Sequence, residues 1–396
     1  MEEVVIVTGV RTAIGRAYRG ALKNTRPDDM AALVVREVLR RAPSIEKHEV
    51  DDVVMGCAFP EHSQSFNIGR MAVLRAGFPT TIPGQTVNRL CASGLQAIAI
   101  GAQQIREGIC DVVIAGGVES MSQVPLMGYQ VSLNLSIVQE YPEAYIAMGL
   151  TAENVAEKYG ITREEQDVFA LRSHERALDA ISEGRFRDQI VPFEIKSIQV
   201  NDRGERVETV KIFDEDEGPR KSSPEQMAKL RPVFKVNGTV TAGNASQTSD
   251  GASAVLLMSE KKAREKALEP LARYVGFTVA GVPPELMGIG PIYAIPRIMK
   301  QKGLKILDMD LIELNEAFAS QALACIRELD LDETITNVNG GAVALGHPLG
   351  CTGAKLTVQI MYEMMRRHAR YGLVSMCIGG GQGAAGILEN LTRVNG

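Results

Sequence analysis

Two stretches of the chain repeat one order of apolar and polar positions. In the first, Gly84-Gln85-Thr86-Val87-Asn88 leads through Cys91-Ala92-Ser93-Gly94 to Leu95, Ile98, Ala102 and Ile105. Their spacing predicts an amphipathic helix, closed by Gly108. The run Val112-Val113-Ile114-Ala115 then reads as a buried strand ending in Gly116-Gly117. In the second, Asn337-Val338-Asn339 leads through Cys351-Thr352-Gly353 into a helix with Leu356, Ile360 and Met364 on one face. A strand from Leu373 to Ile378 follows, ending in Gly379-Gly380-Gly381. Each copy is strand, cysteine at a helix start, helix, strand, glycines, which predicts an α/β fold built by duplication.

The next strand extends the repeat. In the second copy Gly383 to Leu388 follows the glycines at once, whereas its counterpart in the first half, Asp250 to Leu257, comes far beyond Gly117. Residues from about 121 to 245 are therefore expected to be inserted between two neighbouring strands. Within them Thr162-Arg163-Glu164-Glu165 is a capping-box start for a helix ending near Gly184, and 201–224 reads as charged and turn-rich. An insertion of this size suits a lid or substrate domain better than a passive loop. With 396 residues, two or three domains are expected. The expected division is 1–120 with 246–268, the insertion 121–245, and 269–396.

Composition narrows the function classes. Lys and Arg number 43 against 48 Asp and Glu, a formal charge of -5, which argues against a general nucleic-acid binder. No apolar run is long enough for a membrane span, and Met1-Glu2-Glu3 opens no signal peptide. The expectation is a cytoplasmic enzyme. The six cysteines form no CxxC pair, so neither a disulfide scaffold nor zinc-ligand spacing is read.

The chemistry-bearing residues fall beside glycine at predicted strand ends and turns. Cys91 precedes a helix whose unpaired N–H groups would favour thiolate; a buried structural thiol is the plainer reading. His347 is one of only five histidines and sits in Gly340–Gly350 before Pro348, where glycine admits a ligand closely and proline stiffens the mount; a turn histidine bonded to backbone is the alternative. Cys377 ends a strand before three glycines. Asn315-Glu316-Ala317-Phe318 follows the apolar run Leu311–Leu314, at a strand end where α/β sheets bind ligands; a cap or turn role is the alternative there. Thiolate, imidazole and amide suit cysteine nucleophilic catalysis, by a hydrolase or an acyltransferase. The second cysteine favours the acyltransferase.

Taken together, these blocks resemble the thiolase family over essentially the whole chain. They are Asn88–Gln96, Gly116–Met121, Thr241–Ser246, Asn315–Ala319, Gly340–Gly350 and Cys377–Gly381, in that order. The resemblance implies two duplicated α/β/α halves in a five-layer αβαβα arrangement, with a loop domain inserted in the first.

It also implies roles. Cys91 would take the acyl group from a 3-ketoacyl-CoA, and His347 would activate Cys91 and then the incoming CoA thiol. Cys377 would protonate the departing acetyl-CoA carbanion. A water held by Asn315, with His347, would form one oxyanion hole, and the N–H groups of Cys91 and Gly379 the other. The resemblance places Arg220 near the CoA phosphates and Phe234, Ser246, Met287 and Phe318 along the pantetheine path. For Arg220 an exposed charge is an equal reading. Coenzyme A is a substrate, and no tightly bound cofactor or metal is implied.

Ala147-Met148 stands where short-chain biosynthetic thiolases usually carry histidine before methionine. With Asn244–Asp250 and Val282–Glu285, this resembles the degradative 3-ketoacyl-CoA branch, with fatty-acid β-oxidation as the expected setting. An acetyl-CoA C-acetyltransferase is the alternative, and a non-enzymatic acyl-CoA or lipid-binding protein is the alternative of another class. Cys377 speaks against a decarboxylating ketoacyl synthase. A homodimer or homotetramer is expected, with a hydratase/dehydrogenase as a further partner.

Overall fold

The strands of the two halves run in the same order and sense. The computed structural model describes residues 2–200, 204 and 206–392. In the first half Asp52–Gly56 lies parallel to Val112–Ser120. That strand pairs antiparallel with Ser249–Ser259, which pairs antiparallel with Val4–Thr12. In the second half Leu311–Leu314, Tyr371–Ile378, Gln382–Asn390 and Ala272–Gly281 follow the same succession of parallel, antiparallel and antiparallel neighbours. Gln85–Val87 adds a parallel edge to the first half, and the bridge between Ile312 and Thr336 is its reduced counterpart. The halves join where Val5 and Ile6 pair with Arg273 and Ala272, giving one large mixed sheet.

Alternation along the strands builds the layers, because successive side chains point to opposite faces. Val112 and Ile114 face outward to Met30, Val34 and Val38 of the helix Pro27–Arg40. Val113 and Ala115 face inward to Ile98, Ala102 and Ile105 of the helix Ser93–Arg106. The same inner cluster contains Leu356, Ile360 and Met364 of the helix Leu349–Arg367, and Val374 and Met376 of the second half. Beyond that half, Leu373 and Ile387 pack on Ile295 and Ile298 of the helix Gly290–Lys302 and on Leu323 and Ile326 of Ala319–Leu329. The order is helix, sheet, helix pair, sheet, helix, a five-layer α/β fold.

The two central helices meet at their N-terminal ends through glycine. A Cβ on Gly94 would lie 2.8 Å from the Gly350 oxygen, and one on Gly353 would lie 2.3 Å from the Leu95 nitrogen. Only hydrogen fits at either position. This contact brings the turn holding Cys91 next to the loop holding His347.

The chain leaves the first sheet after Ser120 and re-enters at Ser249, yet the two strands pair in register from Val112–Met258 to Ser120–Asp250. Between them lie the helices Met148–Lys158 and Arg163–Ser182. The Thr162 side chain caps the second of these, with Glu165 closing the capping box. The structure corrects the turn-rich reading of 201–224. Arg206–Phe213 is a strand, antiparallel to Phe193–Val200; residues 201–203 and 205 lie outside the described residues. Val207, Val210 and Ile212 supply β propensity among exposed charges. Gly116 and Gly117 also lie within a strand that continues to Ser120 rather than at its end. No helix among the described residues is long and apolar enough to cross a membrane.

Candidate active site

Cys91 lies in a short 3₁₀ turn, Leu90–Ala92, immediately before the helix Ser93–Arg106. Local side chains fix that turn. The Leu90 N–H donates to Asn88 Oδ1 at 2.8 Å, the Ser93 hydroxyl donates to the Leu90 oxygen at 2.6 Å, and Arg89 N–H donates to Ser93 Oγ at 3.0 Å. Leu90 is held at φ 44°, in the left-handed region that a leucine avoids. Such strain persists where neighbouring bonds over-determine the backbone, often beside reacting groups. Cys91 is 9% exposed and packs against Ala17, Ala58, Met121 and Leu349.

His347 precedes the helix Leu349–Arg367 by two residues. Its N–H donates to the Gln247 oxygen at 3.0 Å, and the Gln247 side-chain amide donates to the carbonyls of Gly218 and Ala344, each at 3.1 Å. One ring nitrogen, Nδ1, lies 2.6 Å from Thr352 Oγ1, and Nε2 lies 3.4 Å from Asn315 Nδ2. Asn315 follows the strand Leu311–Leu314, and its N–H donates to Ser375 O at 2.9 Å. It is thereby tied to the strand that ends beside Cys377. Asn315 Oδ1 is buried with no hydrogen-bond partner among the described residues.

Cys377 is fully buried in a small apolar group with Met287, Ala317, Phe318, Ala152 and Val240. The Phe318 ring meets Phe234 edge-on at 6.2 Å between centroids. Ser246 N–H donates to Ala317 O at 3.0 Å, and Ala245 bridges to Phe318. Thus Phe234, Ser246, Met287 and Phe318 gather on the Cys377 side. Arg220 stands outside this group, half-buried beside His174, whose Nδ1 accepts the Arg220 N–H at 3.2 Å. Burial and the nearby Arg16 lower the pKa of its guanidinium.

The electrostatics correct one expectation. A helix start was expected to favour a Cys91 thiolate. Burial instead pushes the thiol up to about 11, although the backbone N–H groups of Gly379 and of Cys91 itself pull the other way. No cation among the described residues offsets the burial of the sulfur, and two amide dipoles do not replace lost hydration. Burial also drives His347 down to about 3, with the Lys355 charge adding to the effect. Cys377 is raised well above a normal thiol by burial and then by Cys91. The resting groups are therefore two thiols and a neutral imidazole, and a proton must move before an ion pair exists.

Two buried carboxylates organise the site: Glu119, which the sequence did not single out, and Glu316, which it placed with Asn315 at a strand end. Glu119, at the end of the strand Val112–Ser120, accepts the N–H groups of Ala58 and Gly350, each at 2.8 Å, Phe59 at 3.3 Å, and Gln64 Nε2 at 2.8 Å. Burial raises its pKa against those bonds. For Glu316 a solvated or capping carboxylate was the plainer alternative to a place at the ligand-binding strand end. Its side chain is buried, and accepts the Ser173 hydroxyl at 2.6 Å, Asn337 Nδ2 at 2.9 Å and Val343 N–H at 3.2 Å. A lone carboxylate inside an otherwise small and apolar strand was the available signal for Glu119.

A buried thiol faced by two backbone N–H donors, a neutral imidazole paired with an amide, and a second thiol suit transfer of an acyl group through sulfur. No group of three or more His, Cys, Asp and Glu side chains among the described residues is arranged to hold a metal ion. Comparison with known proteins agrees with this chemistry. The family "Thiolase, N-terminal domain" matches residues 4–261, and "Thiolase, C-terminal domain" matches 268–390. A 3-ketoacyl-CoA thiolase of Bacillus subtilis is 53% identical over 390 residues, covering 98% of this chain and 100% of the relative. An acetyl-CoA acetyltransferase of Syntrophomonas wolfei is 42% identical, covering 98% and 99%. The crystal structure of the Bacillus anthracis acetyl-CoA acetyltransferase superposes with a TM-score of 0.89 at 47% identity, covering 99% of both chains. With both family domains matched along nearly its full length and the site residues at hand, the chain belongs to the thiolase family.

Proposed function

We propose that this acyltransferase is a degradative thiolase, cleaving 3-ketoacyl-CoA with CoA to acetyl-CoA and a shortened acyl-CoA. What supports the reading is Cys91, faced by the Gly379 N–H, and the Asn315–His347 couple, on turns that meet through Gly94 and Gly350.

Cys91 gives its proton to His347, and the sulfur attacks the 3-keto carbon, whose oxygen takes the electron pair. The N–H groups of Cys91 and Gly379 stabilise that oxyanion. As the carbonyl re-forms, the C2–C3 bond breaks and its electron pair moves into the acetyl-CoA enolate, whose thioester oxygen is held by the Asn315–His347 couple. Cys377 protonates this carbon, acetyl-CoA leaves, and the acyl group remains on Cys91. The imidazolium and the Cys377 thiolate then exchange the surplus proton. In the second half, His347 removes the proton of CoA, the CoA sulfur attacks the acyl-cysteine, and the leaving Cys91 sulfur recovers that proton. Every group used is neutral at rest, which suits a dry site where isolated charge is costly.

Residues 121–245 act as the loop domain that covers the site, with Phe234, Ser246, Met287 and Phe318 along the pantetheine and Arg220 toward the phosphates. The degradative direction is supported by the name of the 53% identical relative. It is also supported by Ala147, an exposed residue preceding the helix Met148–Lys158. The acetyltransferase reading draws on relatives of that name. CoA-dependent cleavage measured from acetoacetyl-CoA to long-chain substrates separates them. Good turnover on medium and long chains is expected; turnover confined to acetoacetyl-CoA overturns the degradative reading.

A further inference from the structure

Thr352 holds both clues to the protonation state of His347. Its hydroxyl oxygen lies 2.6 Å from His347 Nδ1 and 2.9 Å from the Pro348 carbonyl oxygen. A threonine hydroxyl has one proton, and a carbonyl can only accept. When the hydroxyl donates to Pro348, its lone pair faces Nδ1, so Nδ1 must carry the ring hydrogen. The other end of the ring agrees. The Asn315 amide turns its NH2 toward Nε2 at 3.4 Å, which requires a bare nitrogen there. Turning that amide over would leave both its N–H groups without acceptors, where the present orientation leaves the oxygen and one N–H; an orphaned buried N–H is the rarer and more costly of the two.

The surroundings hold these partners in place, with the Pro348 oxygen also accepting the Cys351 N–H at 3.0 Å. Thr352 is fully buried in the first turns of the helix Leu349–Arg367, and its own N–H also donates to Pro348 O at 2.9 Å. One turn further on, fully buried Lys355 donates to the carbonyl of Gly346 at 3.2 Å, so the same helix grips the backbone on the other side of His347. Groups that bear on the Lys355 charge are Arg11, Asp216, Glu313 and Cys351. Nearby Lys355 disfavours a second proton on the ring.

We propose that Thr352 is a positioning residue that locks His347 as the Nδ1–H tautomer, leaving Nε2 as the only nitrogen able to take a proton. Its catalytic importance rests on the thiolase reading, in which His347 is the base; the tautomer itself does not. Once Nε2 has accepted the Cys91 proton, it becomes a donor beside Asn315, so the base of one step becomes part of the oxyanion site of the next. The hydroxyl thereby does for this histidine what an orienting group does in other imidazole-dependent sites.

The test is long-range ¹H–¹⁵N correlation of protein labelled with ¹⁵N-histidine, with His347 assigned from its loss in His347→Asn. The full chain at neutral pH is expected to show Nδ1 protonated and Nε2 bare. Thr352→Val removes the acceptor, so the ring is expected to pass largely to Nε2–H, with kcat for thiolysis down about 100-fold or more and KM little changed. Thr352→Ser keeps the hydroxyl and restores both the spectrum and kcat. A wild-type ring protonated at Nε2, or a folded Thr352→Val that keeps Nδ1–H, overturns the proposal. If Thr352→Val does not fold, the wild-type and Thr352→Ser spectra decide it. Spectra as expected without thiolysis by the wild type would sink the functional reading and leave the lock standing.

Discussion

Replacing Glu119 by glutamine keeps the shape of a buried side chain while turning one acceptor into a donor. Both carboxylate oxygens accept two N–H bonds: one from Ala58 and Gly350, the other from Phe59 and Gln64. An amide presents one oxygen, so in either orientation its NH2 faces a pair of N–H donors, and two bonds are lost. A hydrogen bond to a charged group contributes about 1.5–3 kcal/mol. Two losses exceed what is recovered by not burying a charge, which burial opposes in the native protein, and leave a net cost of about 3 kcal/mol. At about 2.1 cal/mol/K per residue, 396 residues give an unfolding entropy near 0.8 kcal/mol/K, so Tm falls by about 4 °C. Gly350 also begins the helix that follows His347, so kcat is expected to fall about tenfold as the imidazole shifts. Thermal melts and steady-state thiolysis measure the two effects. A Glu119→Gln protein within about 1 °C of wild type and with unchanged kcat would refute the assignment of Glu119 as the organiser of this corner.

Other perturbations separate packing from chemistry. A Cβ on Gly149 would lie 2.2 Å from the Phe234 ring, which is 39% exposed and free to turn outward; Gly149→Ala is expected to raise KM for CoA several-fold with little change in Tm, and the reverse pattern would count against Phe234 at the CoA site. Glu49, bonded by Lys266 and Lys262, is held down at about 2. Its folded pKa is depressed, so its stabilisation is complete above about 4.5 and is lost as pH falls toward 2. Tm of Glu49→Gln should therefore converge on wild type as pH falls through that window, and a constant gap would contradict the linkage. With Cys91 near 11 at rest, its alkylation by iodoacetamide, followed by peptide mass, should keep rising with pH above neutrality. A plateau near pH 7 would mean a resting thiolate.

Where the alphabet of a segment maps to one local geometry, the fold was legible in sequence. The Thr162 capping box, the Leu95–Ile105 helical face and the Leu311–Leu314 strand appear as read. The duplication was legible because both halves must present the same alternation to a shared central helix layer. The hairpin strand Arg206–Phe213 was hidden because exposed on both faces it lacks an apolar side. The site residues stood out through glycine and rare residue types, but their protonation did not. Helix-end reasoning favours a thiolate at Cys91, whereas burial, a property of the assembled tertiary structure, decides for the thiol. Gln247 and Thr352 carry no mark in sequence, since their partners 29 and 5 residues away are set by how the loops fold, and Glu119, whose partner Gly350 lies 231 residues away, is marked only as a lone carboxylate in an apolar strand.

In the proposed mechanism Cys91 carries the acyl group between the two halves of the reaction. Incubating the enzyme with a medium-chain 3-ketoacyl-CoA in the absence of free CoA, then recording intact and peptide masses, tests it directly. A mass gain equal to the shortened acyl group is expected, mapped to the peptide containing Cys91, discharged by added CoA and absent in Cys91→Ala. Cleavage with no acylated intermediate, or an acyl group on Cys377 instead, would contradict it.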